Sequence, residues 1–244
     1  MKNQTLEELK TMKLVGMAAS YEAAIQLPIN QQPEKHELIA TMVDAEKQFR
    51  SDKKMQMYIR LSKLRYNATI QDIQCCPKRN FTKSQLMGLA DGAYVDRSEN
   101  VIITGATGCG KSFIGCALVH QACLLGYRAL YFNMNRLVEQ VALARLDGSL
   151  IKWLNRIKKA KLILFDDFGL TPMSQEVKLV ILQILEDRYE NGATIICSQL
   201  PVAKWHQWLD DPTIADAILD RIVPKSHRIE LKGKSRRTKI KSNH

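Results

Sequence analysis

Gly105-Ala106-Thr107-Gly108-Cys109-Gly110-Lys111-Ser112 has the G-x-x-x-x-G-K-[ST] spacing of a phosphate-binding loop. Glycines at these positions let successive backbone N–H groups turn inward around phosphate oxygens, and a helix starting there adds positive potential at its N-terminus. Residues Gly105 through Phe113 are therefore the expected nucleotide cradle, with Lys111 reaching the β- and γ-phosphates and Ser112 binding Mg²⁺. Further on, Leu162-Ile163-Leu164-Phe165-Asp166-Asp167 reads as a buried strand that delivers two carboxylates at its C-terminal edge, where open α/β sheets bind ligands. Asp166 would hold the metal, directly or through water, and Asp167 would orient and polarise an attacking water. Paired motifs of this kind predict hydrolysis of a nucleoside triphosphate. No guanine-reading N-K-x-D run occurs, so ATP with Mg²⁺ is the expected ligand pair.

Two further positions bear on that chemistry. Thr194-Ile195-Ile196-Cys197-Ser198-Gln199 ends another apolar run in polar residues, which sets Ser198 or Gln199 beside the γ-phosphate if this strand neighbours the loop strand. A plain strand-to-helix turn before Pro201 is the alternative. Arg221 lies late in a helical pattern and is either a local salt-bridge partner or an arginine finger on a neighbouring subunit's nucleotide.

The elements that must position these groups alternate. Short β-branched runs over residues 101–104, 129–132, 162–166, 194–198 and 228–231 are separated by helical patterns, which predicts an α/β fold with a parallel sheet covered by helices. Before residue 79 the pattern is helical: one helix over residues 6–27, then a longer one carrying Leu38, Met42, Ala45 and Phe49, with Pro28 and Pro33 between them. Thr69 to Asp72 has the form of a capping box, and Thr82 caps a short helix through Ala90. The expected organisation is a small all-helical domain over residues 1–78 and a nucleotide-binding domain with a basic tail over residues 79–244.

The chain has 244 residues and a net charge of +11, from 36 Lys and Arg against 25 Asp and Glu, which points to a polyanionic partner. Residues 50–83 hold nine basic residues against two acids, and residues 221–244 hold nine against one. Arg50, Lys53, Lys54, Arg60, Lys63 and Arg65 are the candidate contacts to duplex DNA phosphates, the alternative being a solvated helical face. No apolar stretch approaches the roughly 20 residues of a membrane span. The opening MKNQTLEELK resembles neither a signal nor a transit peptide, so a cytoplasmic location is expected. The six cysteines lack metal-ligand spacing and read as reduced packing residues, and Trp205 and Trp208 read as core anchors rather than base-stacking groups.

Beyond the phosphate loop and Asp166-Asp167-Phe168-Gly169, several runs carry a resemblance: Leu14-Val15-Gly16-Met17-Ala18, residues 63–70, Ser198-Gln199-Leu200-Pro201 followed by Trp205-His206, residues 211–221 and residues 231–237. On these the chain resembles the IstB family of AAA+ ATPases, helper proteins of insertion-sequence transposition related to the DnaC helicase loaders. The resemblance implies a five-stranded AAA+ core, Arg221 as a trans-acting arginine, Ser198 or Gln199 as first sensor and Arg237 as a second nucleotide sensor. It also implies an ATP- and DNA-dependent homo-oligomer that engages duplex DNA and its cognate transposase. Many AAA+ proteins carry Glu where this chain has Asp167, a carboxylate one methylene shorter, and slow intrinsic hydrolysis is the expected consequence. A DnaC-like loader of a replicative helicase is the alternative function.

Overall fold

The computed structural model describes residues 2–233 and Ser235; Arg237, the expected second sensor, lies outside the described residues. The first elements are α1 (Lys2–Thr11), α2 (Val15–Gln26) and α3 (Lys35–Ser62). The chain divides into two compact units, Met1–Met57 and Tyr58–His244, so that residues 58–78 fall on the second unit's side of the division.

In the first unit, the single helix expected over residues 6–27 is two helices. Lys13 takes a left-handed φ of 60°, and the Leu14 amide donates to the Leu9 carbonyl at 2.9 Å, a six-to-one closure that ends α1. Glycine or asparagine normally occupies this position, so a lysine there leaves no stop signal in the sequence. Helix α2 meets α3 at Gly16, where a Cβ would collide with the backbone of Ala45 and Glu46. The buried Glu46 carboxylate accepts from the Gly16 and Met17 amides at 2.8 and 3.2 Å, satisfying first-turn donors of α2 that have no partner within the helix. Leu6, Leu9, Ala18 and Met42 close the small core of this unit.

In the second unit, Thr82 caps α4 (Lys83–Ala90) in a reciprocal capping box with Gln85, and α5 (Ala93–Asp96) follows. The strands are β1 (Asn100–Gly105), β2 (Ala129–Asn133), β3 (Leu162–Phe168), β4 (Ala193–Ser198) and β5 (Ser226–Leu231). They form one parallel sheet in the order β2-β3-β4-β1-β5, the five-stranded α/β arrangement expected. Side chains alternate across it as a period of two requires. Val101, Ile103, Leu162, Leu164, Ile195 and Cys197 face one core with α6 (Lys111–Leu124). Ile102, Ile163, Phe165 and Ile196 face the other, under α7 (Met134–Leu146), α8 (Leu150–Lys158), α9 (Gln175–Arg188), α10 (Trp205–Leu209) and α11 (Pro212–Ile222). Trp205 is fully buried, its ring 4.9 Å from Phe168, with Trp208 at 5.0 Å from the same ring, so both tryptophans are core anchors. Cys109, Cys116, Cys123 and Cys197 are buried and all six cysteines are unbridged. Among the described residues no helix is long and apolar enough to cross a membrane.

Candidate functional site

Because β4 lies between β1 and β3, the sheet brings three strand ends to one edge. Thr104 is in register with Ser198, and Asn133 at the end of β2 is in register with Asp166. From β1 the chain turns through the phosphate loop into α6. Gly108 and Gly110 stand at φ of 75° and 96°, values that a side chain disfavours. Lys111 is buried, and its ammonium donates to the Gly105 and Ala106 carbonyls at 2.8 and 2.9 Å. The ammonium therefore sits among the loop carbonyls at the start of α6.

The two carboxylates arrive by an irregularity that the sequence pattern does not announce. Adjacent strand residues point to opposite faces, but the β3–β4 register shifts between Phe165 and Phe168 and Asp167 has a left-handed φ of 61°. A bulge of this kind re-aims side chains, and Asp tolerates left-handed backbone better than most residues. Strand β3 consequently runs two residues past the expected end at Asp166. Fully buried Asp166 accepts from Ser112 Oγ at 2.7 Å on one oxygen and from the Tyr131 hydroxyl at 3.0 Å on the other. Burial, and then the charge of Asp167, raise its pKa above the usual carboxylate range, against the hydrogen bonds of Ser112 and Tyr131. Asp167 accepts from Asn133 Nδ2 at 2.8 Å and from Arg65 NH1 at 3.3 Å, both on Oδ2.

Ser112 and Asp166 supply a hydroxyl and a carboxylate oxygen side by side, the hard oxygen donors that suit Mg²⁺. Among the described residues no group of three or more His, Cys, Asp or Glu converges. A Mg²⁺ held here would take its remaining ligands from phosphate and water, as this ion ordinarily does.

A cavity of about 310 Å³ adjoins the loop, lined by Thr107, Gly108, Gly110, Lys111, Ser112, Phe113, Asp167 and Gln199 together with Tyr66, Ile73, Gln74 and Arg79. Asp72 and Ile114 also line it; the Tyr66 and Phe113 rings, 6.2 Å apart, offer apolar surface and Lys111 and Asp167 charge, a combination suited to a nucleoside phosphate. Gln199 faces it. Ser198 is wholly buried, donating to the Phe168 carbonyl at 2.6 Å and accepting from the Leu200 amide at 3.0 Å.

Arg221 belongs to the other edge of the sheet. Its guanidinium bonds the Ala217 carbonyl at 2.6 Å and pairs with Glu186, and its own carbonyl accepts from Asn100 Nδ2 at 2.9 Å. Asn100 opens β1 whereas the phosphate loop follows its end, about 17 Å of strand away. Among the candidate DNA contacts, Arg50 pairs with Glu46 at 2.7 Å, the Lys53 ammonium lies over the Phe49 ring at 5.8 Å, and Lys54, Arg60 and Lys63 are exposed.

The sequence does not place Tyr66, Ile73, Gln74, Arg79, Tyr131 or Asn133 at this site. Segment 63–79 precedes the loop by more than twenty residues, and nothing local marks its approach. Tyr131 and Asn133 had a usable signal: polar groups two apart at the end of a strand share a face.

The sequence pattern of the family of IstB-like ATP binding proteins matches residues 7–244. An insertion-sequence ATP-binding protein of Sinorhizobium fredii is 39% identical over 233 residues, covering 96% of this chain and 95% of the relative. The IS1162 ATP-binding protein of Pseudomonas fluorescens is 34% identical over 82% of this chain and 87% of its own. The IS21 counterpart of Pseudomonas aeruginosa is 27% identical over 96% and 88%. Among solved structures, the DnaC helicase loader aligns with a TM-score of 0.56 at 18% identity over 68% of this chain and 98% of that one. DnaI gives 0.58 at 20% over 68% and 92%. DnaA bound to AMPPCP and single-stranded DNA gives 0.57 at 18% over 70% and 52%. These structural likenesses establish the AAA+ fold. A family match running through nearly the whole length, with relatives above 30% identity across it, means that this chain belongs to the IstB-like ATP-binding proteins of insertion sequences.

Proposed function

We propose that this protein hydrolyses ATP slowly, assembles on duplex DNA with little regard to sequence, and assists its transposase in target selection and insertion. The observation that carries the reading is the convergence of Lys111, Ser112, Asp167 and Gln199 on one cavity beside the phosphate loop, with Asp166 hydrogen-bonded to Ser112. Lys111 exchanges the loop carbonyls for phosphate oxygens and neutralises their charge. Ser112 and Asp166 would hold Mg²⁺, which would supply positive charge to offset that developing on the phosphate oxygens. Asp167 orients the attacking water and takes up its proton, and Gln199 senses the γ-phosphate. The shorter reach of Asp, compared with Glu, is the physical ground for a slow rate.

Arg221 cannot serve its own nucleotide across the sheet, so its role on ATP is that of a finger supplied to a neighbouring protomer. ATP then becomes part of the subunit interface, and oligomerisation multiplies weak phosphate contacts to DNA. DNA and partner binding are assigned to the helical region over residues 1–78, with ATP turnover in residues 79–244. ATP hydrolysis measured with and without duplex DNA tests the proposal. Stimulation by DNA supports it, and turnover indifferent to DNA at every protein concentration removes it.

A further inference from the structure

Arg65 stands in the basic run read as DNA contacts, and its guanidinium reaches the carboxylate edge of the nucleotide site. NH1 lies 3.3 Å from Asp167 Oδ2 and 3.8 Å from Asp166 Oδ2. The two carboxylate side chains are 20% and 1% exposed, so water screens their charges poorly. The acceptor atoms are shared, Asp167 Oδ2 with Asn133 and Asp166 Oδ2 with Tyr131.

The backbone that carries Arg65 is fixed. Residues 64–68 follow the end of α3 with exposure alternating residue by residue: Leu64, Tyr66 and Ala68 turn into the core while Arg65 and Asn67 turn out. The guanidinium also lies over the Tyr66 ring at 5.3 Å, a contact that holds a cation in place. Arg65 is thus a positioned cation on the two carboxylates expected to act on metal and water.

We infer that Arg65 is a positioning residue that competes with Mg²⁺ for the Asp166–Asp167 edge and so sets the Mg²⁺ concentration at which nucleotide is loaded. The inference rests on the reading of Ser112 and Asp166 as metal ligands and of Asp167 as the water-orienting group. Its ground is like-charge exclusion. A divalent cation on the Ser112 side of the buried Asp166 carboxylate would face a guanidinium on the other side of the same group. Loading Mg²⁺ weakens the hold of Arg65 on the shared carboxylate edge.

The test is a Mg²⁺ titration of mant-ATP binding by the full-length protein. Arg65→Ala should lower the half-saturating Mg²⁺ by roughly three- to ten-fold, the span between an exposed ion pair and a charge-assisted bond at a partly buried one. Arg65→Lys, which keeps the charge, should stay nearer the parent, and mant-ATP binding in EDTA should be unchanged in both. In an Asp167→Asn background the Arg65→Ala shift should shrink, since the pair is already half removed. An unchanged Mg²⁺ half-point in both Arg65→Ala and Arg65→Gln overturns the inference. So does an equal loss of binding with and without Mg²⁺, which would make Arg65 a phosphate ligand. If Arg65→Ala shows the predicted shift while the parent never hydrolyses ATP, the competition is supported and the proposed ATPase function is refuted.

Discussion

In the proposed mechanism Lys111 and Asp167 act on different parts of the nucleotide, so their loss should separate binding from hydrolysis. Lys111→Ala removes a buried cation from the phosphates and should weaken ATP binding about ten- to a hundred-fold by the usual worth of a charge-assisted hydrogen bond. Asp167→Asn keeps the shape and the Asn133 neighbour but not the proton acceptor, and should cut turnover by about a hundred-fold or more with binding little changed. Equilibrium titration alongside single-turnover kinetics reads both. A second contrast concerns β4. The Ser198 hydroxyl is used up by the Phe168 carbonyl and the Leu200 amide, so Ser198→Ala should lower stability by about 1–3 kcal/mol through stranded buried groups. Gln199→Ala, facing the cavity, should leave the melting temperature in place and lower the hydrolysis rate. A Ser198→Ala protein of parental stability would contradict this division of roles.

At the scale of an element, α2 depends on a carboxylate from another helix. Burial works against the charged form of Glu46, but the Arg50 hydrogen bond and the Met17 and Gly16 amides outweigh it and hold its pKa below the usual carboxylate value. The folded form binds this proton less readily than the unfolded chain, so the stability involved is whole above the ordinary carboxylate pKa, near ~4.3, and is lost as pH falls through the lowered native value. Denaturation followed by helix signal between pH 7 and 3 should therefore show a decline in the acid range that Glu46→Gln flattens, at the expense of stability at neutral pH. Gly16→Ala should destabilise the same contact by about 1–3 kcal/mol, the range for overpacking, because the colliding atoms belong to backbone. The pair shows what the sequence left hidden: Leu14-Val15-Gly16-Met17-Ala18 was recognisable as a family run, but neither the close approach that demands glycine nor the helix break at Lys13 has a local signature.

For the whole molecule, the proposed trans role of Arg221 would make activity a property of mixtures. Arg221→Ala should bind ATP as a monomer and lose ATP-dependent oligomers, DNA-stimulated turnover and tight DNA binding together. Mixed with Lys111→Ala protein, whose Arg221 is intact, it should regain hydrolysis at its own intact site. Mixed oligomers without any recovery would exclude the trans role. DNA affinity should fall linearly on a log–log plot against salt, by about 0.9 per phosphate neutralised, with sequence scrambling of little effect. Reversing Lys53, Lys54, Arg60 and Lys63 together should flatten that slope, whereas an unaltered slope would move the contacts elsewhere.

What the sequence determined by itself was chemistry whose determinants are contiguous. A phosphate loop works through backbone amides of eight successive residues, and a strand ending in two aspartates announces its own charge, so the meeting of Lys111, Ser112, Asp166 and Asp167 at one strand edge was legible, as were the five strands through their β-branched runs. Tertiary structure decided whatever depends on strand order and register. Inserting β4 between β1 and β3 put Ser198 and Gln199 at the loop, but only the register and the bulge at Asp166–Asp167 turned one into a buried backbone clamp and the other toward the cavity. Likewise Arg65 reads in the chain as one more cation in a basic run. The fold carries it across 102 residues of sequence to Asp167, because charge is a property of a residue while its partner is chosen by the packing of Leu64, Tyr66 and Ala68 around it.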